Sequence, residues 1–139
     1  MFTVKQKKYW SMEKLVIEGS KDKPSITLDK DKGYLYIGGS SLPENVLDVY
    51  NPILEWIDQY LAEPNPDTKI EFYFEYLNTA SSQMIMRIIE KCLELKSLCE
   101  SLSITWYYTT GDLDMRDFGH ELVELTNYPI NVITREHHP

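Results

Sequence analysis

Ile70-Glu71-Phe72-Tyr73-Phe74-Glu75-Tyr76-Leu77-Asn78-Thr79-Ala80-Ser81-Ser82-Gln83 is a strand that turns directly into a helix. Aromatic and β-branched residues run as far as Leu77, with Phe72 and Phe74 on one side and Glu71, Tyr73 and Glu75 on the other. That alternation predicts a strand with one buried face. Asn-Thr-Ala-Ser-Ser then stops the run, and a helical apolar period starts at once. Asn78 or Thr79 is the natural N-cap. Three hydroxyls, on Thr79, Ser81 and Ser82, fall in the first helical turn, where free backbone N–H groups and the positive end of the macrodipole favour an anion. A phosphoryl group added there gains that stabilisation and carries about two negative charges onto the surface. The same residues also make an ordinary capped helix, so the junction by itself leaves both readings open.

Outward from the junction, the helix carries Ser81, Ile85, Ile88, Cys92, Leu95, Cys99 and Leu102 at a 4-3-4-3 spacing, which predicts a long packing face. Only three heptads fit, so a coiled coil is the weaker reading. Leu102 to Tyr108 is the next strand. Asp112 caps a third helix with Met115, Phe118, Leu122 and Leu125 as its stripe, and Ile130 to Ile133 is a last strand. On the N-terminal side, Leu15 to Glu18 and Ser25 to Asp29 read as strands, and Lys30-Asp31-Lys32-Gly33 as a hairpin turn into a strand from Tyr34 to Gly39. A first helix is predicted from Ser41, with Ser41 and Glu44 as a capping box, Pro43 in the first turn and Pro52 bending the interior. Its apolar positions are Val46, Val49, Tyr50, Ile53, Ile57, Tyr60 and Leu61. The order β-β-β-α-β-α-β-α-β implies an α/β fold with a mixed sheet and helices mainly on one face. Residues 1–12 read as a basic N-terminal extension and 13–139 as a single domain. Patterned sequence begins just after Met12, which makes Met12 an alternative start.

The 139 residues suffice for one core, and 42% hydrophobic with 26% charged residues describes a globular chain rather than a disordered one. The net charge of −8 argues against binding a phosphate backbone or an anionic membrane surface, since both attract basic proteins. No apolar run approaches the roughly 20 residues of a membrane span, and the N-terminus lacks a signal-peptide core. Cys92 and Cys99, seven apart on one predicted helix, sit about 10 Å from each other, too far for a disulfide. They read as reduced core residues, and the chain as cytoplasmic.

Catalytic patterns are absent. His120 faces away from the third helix's stripe, His137 and His138 belong to the tail, and none has a partner at metal-ligand spacing. Gly38-Gly39-Ser40-Ser41 lacks the lysine of a phosphate-binding loop and reads as a tight turn into the first helix. Asp112, Asp114, Asp117 and Glu121 spread over a solvated helix face. No nucleophile–base set, carboxylate pair or cofactor motif stands out, so the expectation is a non-enzyme without cofactor or metal.

Several blocks together carry a resemblance. They are Leu15-Val16-Ile17-Glu18-Gly19-Ser20 followed by Pro24-Ser25-Ile26, and Gly39-Ser40-Ser41-Leu42-Pro43-Glu44-Asn45 followed by Tyr50-Asn51-Pro52-Ile53-Leu54-Glu55-Trp56. Phe74 to Ser82, and Trp106-Tyr107-Tyr108 with Asp112, Asp114, Met115 and Gly119, complete the set. Over residues 13–134 they resemble the SiaC-type regulatory phosphoproteins, domains related in fold to the STAS anti-sigma-factor antagonists. Departures from the family pattern are Ala80, where serine is common, and Ser41-Leu42, where an aromatic residue usually precedes the proline.

The resemblance implies a STAS-like fold and a partner switch. A GHKL-type serine/threonine kinase phosphorylates the threonine of the Asn-Thr motif, here Thr79, with Ser81 as second choice, and a metal-dependent serine/threonine phosphatase reverses it. The unmodified form binds and stimulates a diguanylate cyclase, in cyclic-di-GMP signalling and biofilm regulation. The expected partner surface is Pro43, Glu44, Asn45, Asn78, Thr79, Ser81, Ser82 and Gln83. The alternatives are an anti-sigma-factor antagonist that captures an anti-sigma kinase, and a small-ligand or nucleotide-binding domain using the Gly38-Gly39 turn.

Overall fold

A computed structural model describes residues 12–137; of the basic extension only Met12 is included, and His138 also lies outside the described residues. The strands are β1 (Leu15–Ile17), β2 (Ser25–Asp29), β3 (Tyr34–Ser41), β4 (Asp67–Leu77), β5 (Ser101–Thr109) and β6 (Asn131–Arg135). They form one six-stranded sheet in the order β1-β2-β3-β4-β5-β6. β1, β2 and β3 pair antiparallel, and β3 to β6 run parallel. Three helices make the parallel crossovers: α1 (Val46–Ala62), α2 (Thr79–Cys92) and α3 (Leu113–Thr126). Every crossover steps the same way along the sheet, and right-handed crossovers of that kind place all three helices on one face. All three therefore also start at the same end of the sheet, beyond the carboxyl ends of β3, β4 and β5.

The covered face holds the core. Ile26, Leu28, Leu35, Ile37, Ile70, Phe72, Phe74, Ile104 and Trp106 from the sheet pack against Tyr50, Ile53, Ile57, Ile85, Ile88 and Leu122. Trp106 is the hub. It packs on Phe72, Phe74 and Phe118, and its indole N–H donates to the Met115 carbonyl at 3.0 Å. Gly119 allows this: a Cβ there would lie 2.5 Å from the Trp106 ring. The fully buried α3 positions are accordingly Met115, Gly119 and Leu122, with Phe118 packed beside them, and Leu125, expected in the stripe, is 62% exposed.

The opposite face carries no helix. Glu71 accepts hydrogen bonds there from the hydroxyls of Tyr34 at 2.8 Å and Tyr107 at 3.1 Å, and Arg135 stacks 3.6 Å above the Tyr107 ring. Burial and the Glu71 carboxylate push the Tyr34 phenol well above its ordinary range. Through Glu71 the two hydroxyls tie β3, β4 and β5 together on the solvent side.

Three local expectations differ from the structure. The first helix does not start at Ser41: β3 continues through Ser41, and α1 begins at Val46 with Asn45 as N-cap and no side-chain capping bond. Pro43 is the reason, because its ring disfavours helical geometry at Leu42, which a cap at Ser41 would require. Gly38 and Gly39 do not form a turn either; both lie within β3. A Cβ on Gly38 would meet the Tyr36 hydroxyl and the Tyr73 carbonyl, and Gly39 has φ +84° where the β3–β4 pairing skips Glu75. The second helix does not run to Leu102. It tightens into a 3-10 turn at Leu93–Ser97, so Cys99 is off the helix, with its thiol 3.4 Å from the Asn65 carbonyl. Both cysteines are free, and burial pushes the Cys92 thiol up to about 12.

Candidate functional site

The β4–α2 junction adopts the geometry its sequence predicts. Asn78 is the N-cap, with φ −79° and ψ 169°, and its side-chain carbonyl accepts from the Ser81 N–H at 2.8 Å. The Asn78 backbone is held from both sides: its N–H donates to the Ser41 carbonyl at 3.1 Å, and its carbonyl accepts from the Ser82 N–H at 2.9 Å. Thr79 is therefore the first helical residue, and its N–H is among those without a helical acceptor.

The three hydroxyls separate by environment. Ser81 is fully buried and its Oγ lies 2.8 Å from Ser41 Oγ. The Ser82 hydroxyl is half-buried and donates to the Asn78 carbonyl at 3.1 Å. Thr79 is exposed, and among the described residues its hydroxyl has no protein partner. Gln83 is also exposed. A phosphoryl donor in solution reaches Thr79 without disturbing a bond, whereas reaching Ser81 requires opening the core.

Ser41 lies beneath the junction and organises it. Its hydroxyl is 2.6 Å from the Tyr50 hydroxyl of α1 as well as 2.8 Å from Ser81 of α2, and all three residues have no more than a trace of exposure. Burial raises the Tyr50 phenol above its ordinary value, so it remains a neutral hydroxyl. The three groups join the end of β3 to the starts of both neighbouring helices. Sequence reasoning missed this network because it assigned Ser41 to a cap. The Leu42-Pro43 pair was the available signal, since it requires extended backbone just after Ser41.

The other expected surface residues lie around the same end of the sheet. Glu44 and Asn45 are exposed at the start of α1, while Pro43 is buried and lines a groove beside that helix. Of the nine large apolar side chains left exposed among the described residues, Leu42, Leu47, Tyr76 and Leu113 all belong to segments that cross this end. Leu42 and Tyr76 line one hollow there together with Glu75. The charges here are mixed: Glu44, Asp48, Glu75 and Asp114 are exposed, Lys21 lines the hollow beside Leu42, Glu75 and Tyr76, and Arg116 lies in the first turn of α3. Arg87, the first cation along α2, is eight residues past Thr79, about 12 Å away.

Among the described residues, no group of three or more His, Cys, Asp or Glu side chains is placed to hold a metal ion. His120 is exposed on α3. Among the same residues, no helix is long and apolar enough to cross a membrane.

A family model for the SiaC family regulatory phosphoproteins matches residues 17–135, nearly all of the chain. The chain belongs to the SiaC family. An uncharacterized protein of Pseudomonas aeruginosa (strain UCBPP-PA14) is 26% identical over 121 residues, covering 87% of this chain and 96% of that protein. SiaC of Pseudomonas aeruginosa superposes with a TM-score of 0.78 at 25% identity, over 89% of this chain and 100% of SiaC. SiaC has also been solved in complex with the diguanylate cyclase SiaD, which it activates; that structure matches with a TM-score of 0.79 at 25% identity, over 87% of this chain and 99% of the matched one. The family is that of regulatory phosphoproteins, and the six-stranded mixed sheet with helices on one face is the fold that SiaC shares.

Proposed function

We propose that this SiaC-family chain is a non-enzymatic, cytoplasmic partner switch with Thr79 as its phosphoacceptor, and that its unmodified form binds and stimulates a diguanylate cyclase. The observation that carries the site is the contrast among the three hydroxyls: Thr79 is exposed and unbonded, while Ser81 is buried against Ser41 and Ser82 is spent on the Asn78 carbonyl. The complex of SiaC with SiaD supports the choice of partner. A GHKL-type kinase and a metal-dependent phosphatase complete the cycle.

The chemistry of the switch follows from the position of Thr79. A phosphate on the first residue of α2 lies at the positive end of the helix, so it reinforces the helix rather than melting it. It also brings about two negative charges into a surface that carries Leu42, Leu47 and Tyr76 for apolar contact and Glu75 nearby. A partner that covers those side chains must then desolvate the phosphate, at a cost that only a well-placed cation offsets. The modification therefore blocks docking while the fold stays intact.

Incubation with the cognate kinase and magnesium-ATP, followed by intact-mass and fragment analysis, tests the site. One phosphate on Thr79 is the expected result, and phosphate solely outside residues 78–82 sinks the assignment. For the output, Thr79→Glu should weaken cyclase binding at least tenfold, about 1.4 kcal/mol, and leave the melting temperature nearly unchanged. Equal stimulation of the cyclase by Thr79→Glu and by the unmodified protein overturns the switch. Capture of a sigma-factor regulator instead of a cyclase redirects the reading to an anti-sigma-factor antagonist.

A further inference from the structure

A groove of about 510 Å³ runs between the first half of α1 and the β1–β2 connection. Ile17, Pro24, Ile26 and Val49 give it an apolar floor, and its rim carries three carboxylates, Asp22, Glu44 and Asp48, against one cation, Lys23. The rim has one further acceptor. Pro52 has no N–H, so the Asp48 carbonyl lacks the helical donor it would otherwise have. The groove therefore suits a segment that combines positive charge with an apolar side chain.

The described part of the chain begins beside this groove. Pro52 lines both this groove and a shallower hollow formed by Met12, Leu15, Trp56 and Gln59. The chain is fastened at that hollow, where the Trp56 indole N–H donates to the Glu13 carbonyl at 3.0 Å. Residues 1–11 precede it with Lys5, Lys7 and Lys8, the aromatics Phe2, Tyr9 and Trp10, and no acidic residue. Asp48 lies four residues before Pro52 on α1, about 6 Å along the helix, and Glu44 precedes the helix, next to its N-cap Asn45. At most about 3.3 Å of chain per residue is available, so the four to seven residues that separate Lys8, Lys7 and Lys5 from Met12 suffice to reach carboxylates beyond Pro52. The family match begins only at residue 17, so this basic stretch lies outside what the SiaC model covers.

We propose that residues 1–11 dock in the α1 groove, with lysines against Asp22, Glu44 and Asp48 and an aromatic side chain on the apolar floor. Because Pro43, Glu44 and Asn45 border that groove, the docked arm competes with the output partner for the same corner; this second step rests on the proposed partner-binding role of that corner. Exposed ion pairs are weak and screened by salt, so the arm is displaceable and acts as a threshold rather than a block.

Zero-length carbodiimide coupling of the full chain, read by fragment mass spectrometry, tests the docking without any partner. Lys5, Lys7 or Lys8 is expected to couple to Asp22, Glu44 or Asp48 within one chain, with the yield falling at 1 M salt. Coupling of these lysines only to other carboxylates, coupling only between two chains, or none at all overturns it. Hydrogen exchange of residues 43–49 gives an independent reading. It should quicken in Lys5→Glu/Lys7→Glu/Lys8→Glu and return to the starting rate when Asp22→Lys/Glu44→Lys/Asp48→Lys is added. Exchange that ignores the arm's charge counts against the docking. In a cyclase titration the charge-reversed arm should bind about three- to tenfold more tightly than the native arm. Unchanged affinity removes the competition. A native chain that binds no cyclase removes the partner reading instead, and the coupling pattern still stands or falls by itself.

Discussion

The starts of α1 and α2 look alike in sequence and are built differently. Each follows a strand, each has serine and asparagine within a few residues of its first turn, and both begin at the same end of the sheet. At α2 the local motif caps the helix, because Asn78 takes the Ser81 N–H. At α1 the apparent capping serine lies four residues upstream of Asn45, buried at the end of β3, and the helix begins without a side-chain cap. Ser41 instead bonds Tyr50 of α1 and Ser81 of α2, so the missing cap of one helix serves as the anchor of both. A polar residue before a helix thus has two possible users, the helix itself and the core. Whichever offers a buried partner takes it, because an unpaired buried hydroxyl costs more than a cap left to water.

That contrast can be broken or sharpened by four substitutions. The largest loss is expected for Ser41→Ala, which leaves the Tyr50 and Ser81 hydroxyls buried without their shared partner. About 2 kcal/mol should disappear, seen as a fall of roughly 5–8 °C in calorimetric melting. A value near zero would mean that Ser41 is dispensable and the two helix starts are independent. Asn78→Ala should cost about 1 kcal/mol in urea unfolding, with Asn78→Asp retaining most of it, as removal of a working N-cap does. Thr79→Ala should lower stability by less than about 0.5 kcal/mol, because its hydroxyl bonds nothing in the protein, and yet abolish phosphate incorporation. The smallest effect belongs to Asn45→Ala, within about 0.5 kcal/mol of the native value in the same assay, since no side-chain bond is lost. Should Asn45→Ala prove as costly as Asn78→Ala, the two starts would be equivalent after all.

Much of the fold was legible because it depends on neighbours in sequence. The turn at Lys30–Gly33 and the caps at Asn78 and Asp112 appear where spacing and turn chemistry put them, and β4 alternates as expected except that Tyr73, opposite Phe72 and Phe74, is also buried, against Tyr107 and Thr109. What was misread has a common cause. Ser41 as a cap, Gly38-Gly39 as a turn, the α2 stripe continued to Leu102 and Leu125 in the α3 stripe are each sound local readings. They were overruled by contacts with distant residues: Tyr50 and Ser81 for Ser41, Tyr36 and Tyr73 for Gly38, and Trp106 through Gly119 for the α3 face. The end of α2 is the exception, for its tightening into a 3-10 turn has no such partner to explain it.

The sequence by itself determined that a helix starts at Asn78-Thr79 and that hydroxyls crowd its first turn, because capping depends on residues within one turn of each other. Capping chemistry alone could not rank those hydroxyls, and only the family resemblance put Thr79 ahead of Ser81. Ser81 lies 40 residues from Ser41, and only the pairing of β3 with β4 and the packing of α1 and α2 bring the two within 2.8 Å. Tertiary structure took Ser81 into the core, spent Ser82 on the Asn78 carbonyl and left Thr79 in solvent, since a hydroxyl's reactivity toward a partner depends on what already holds it.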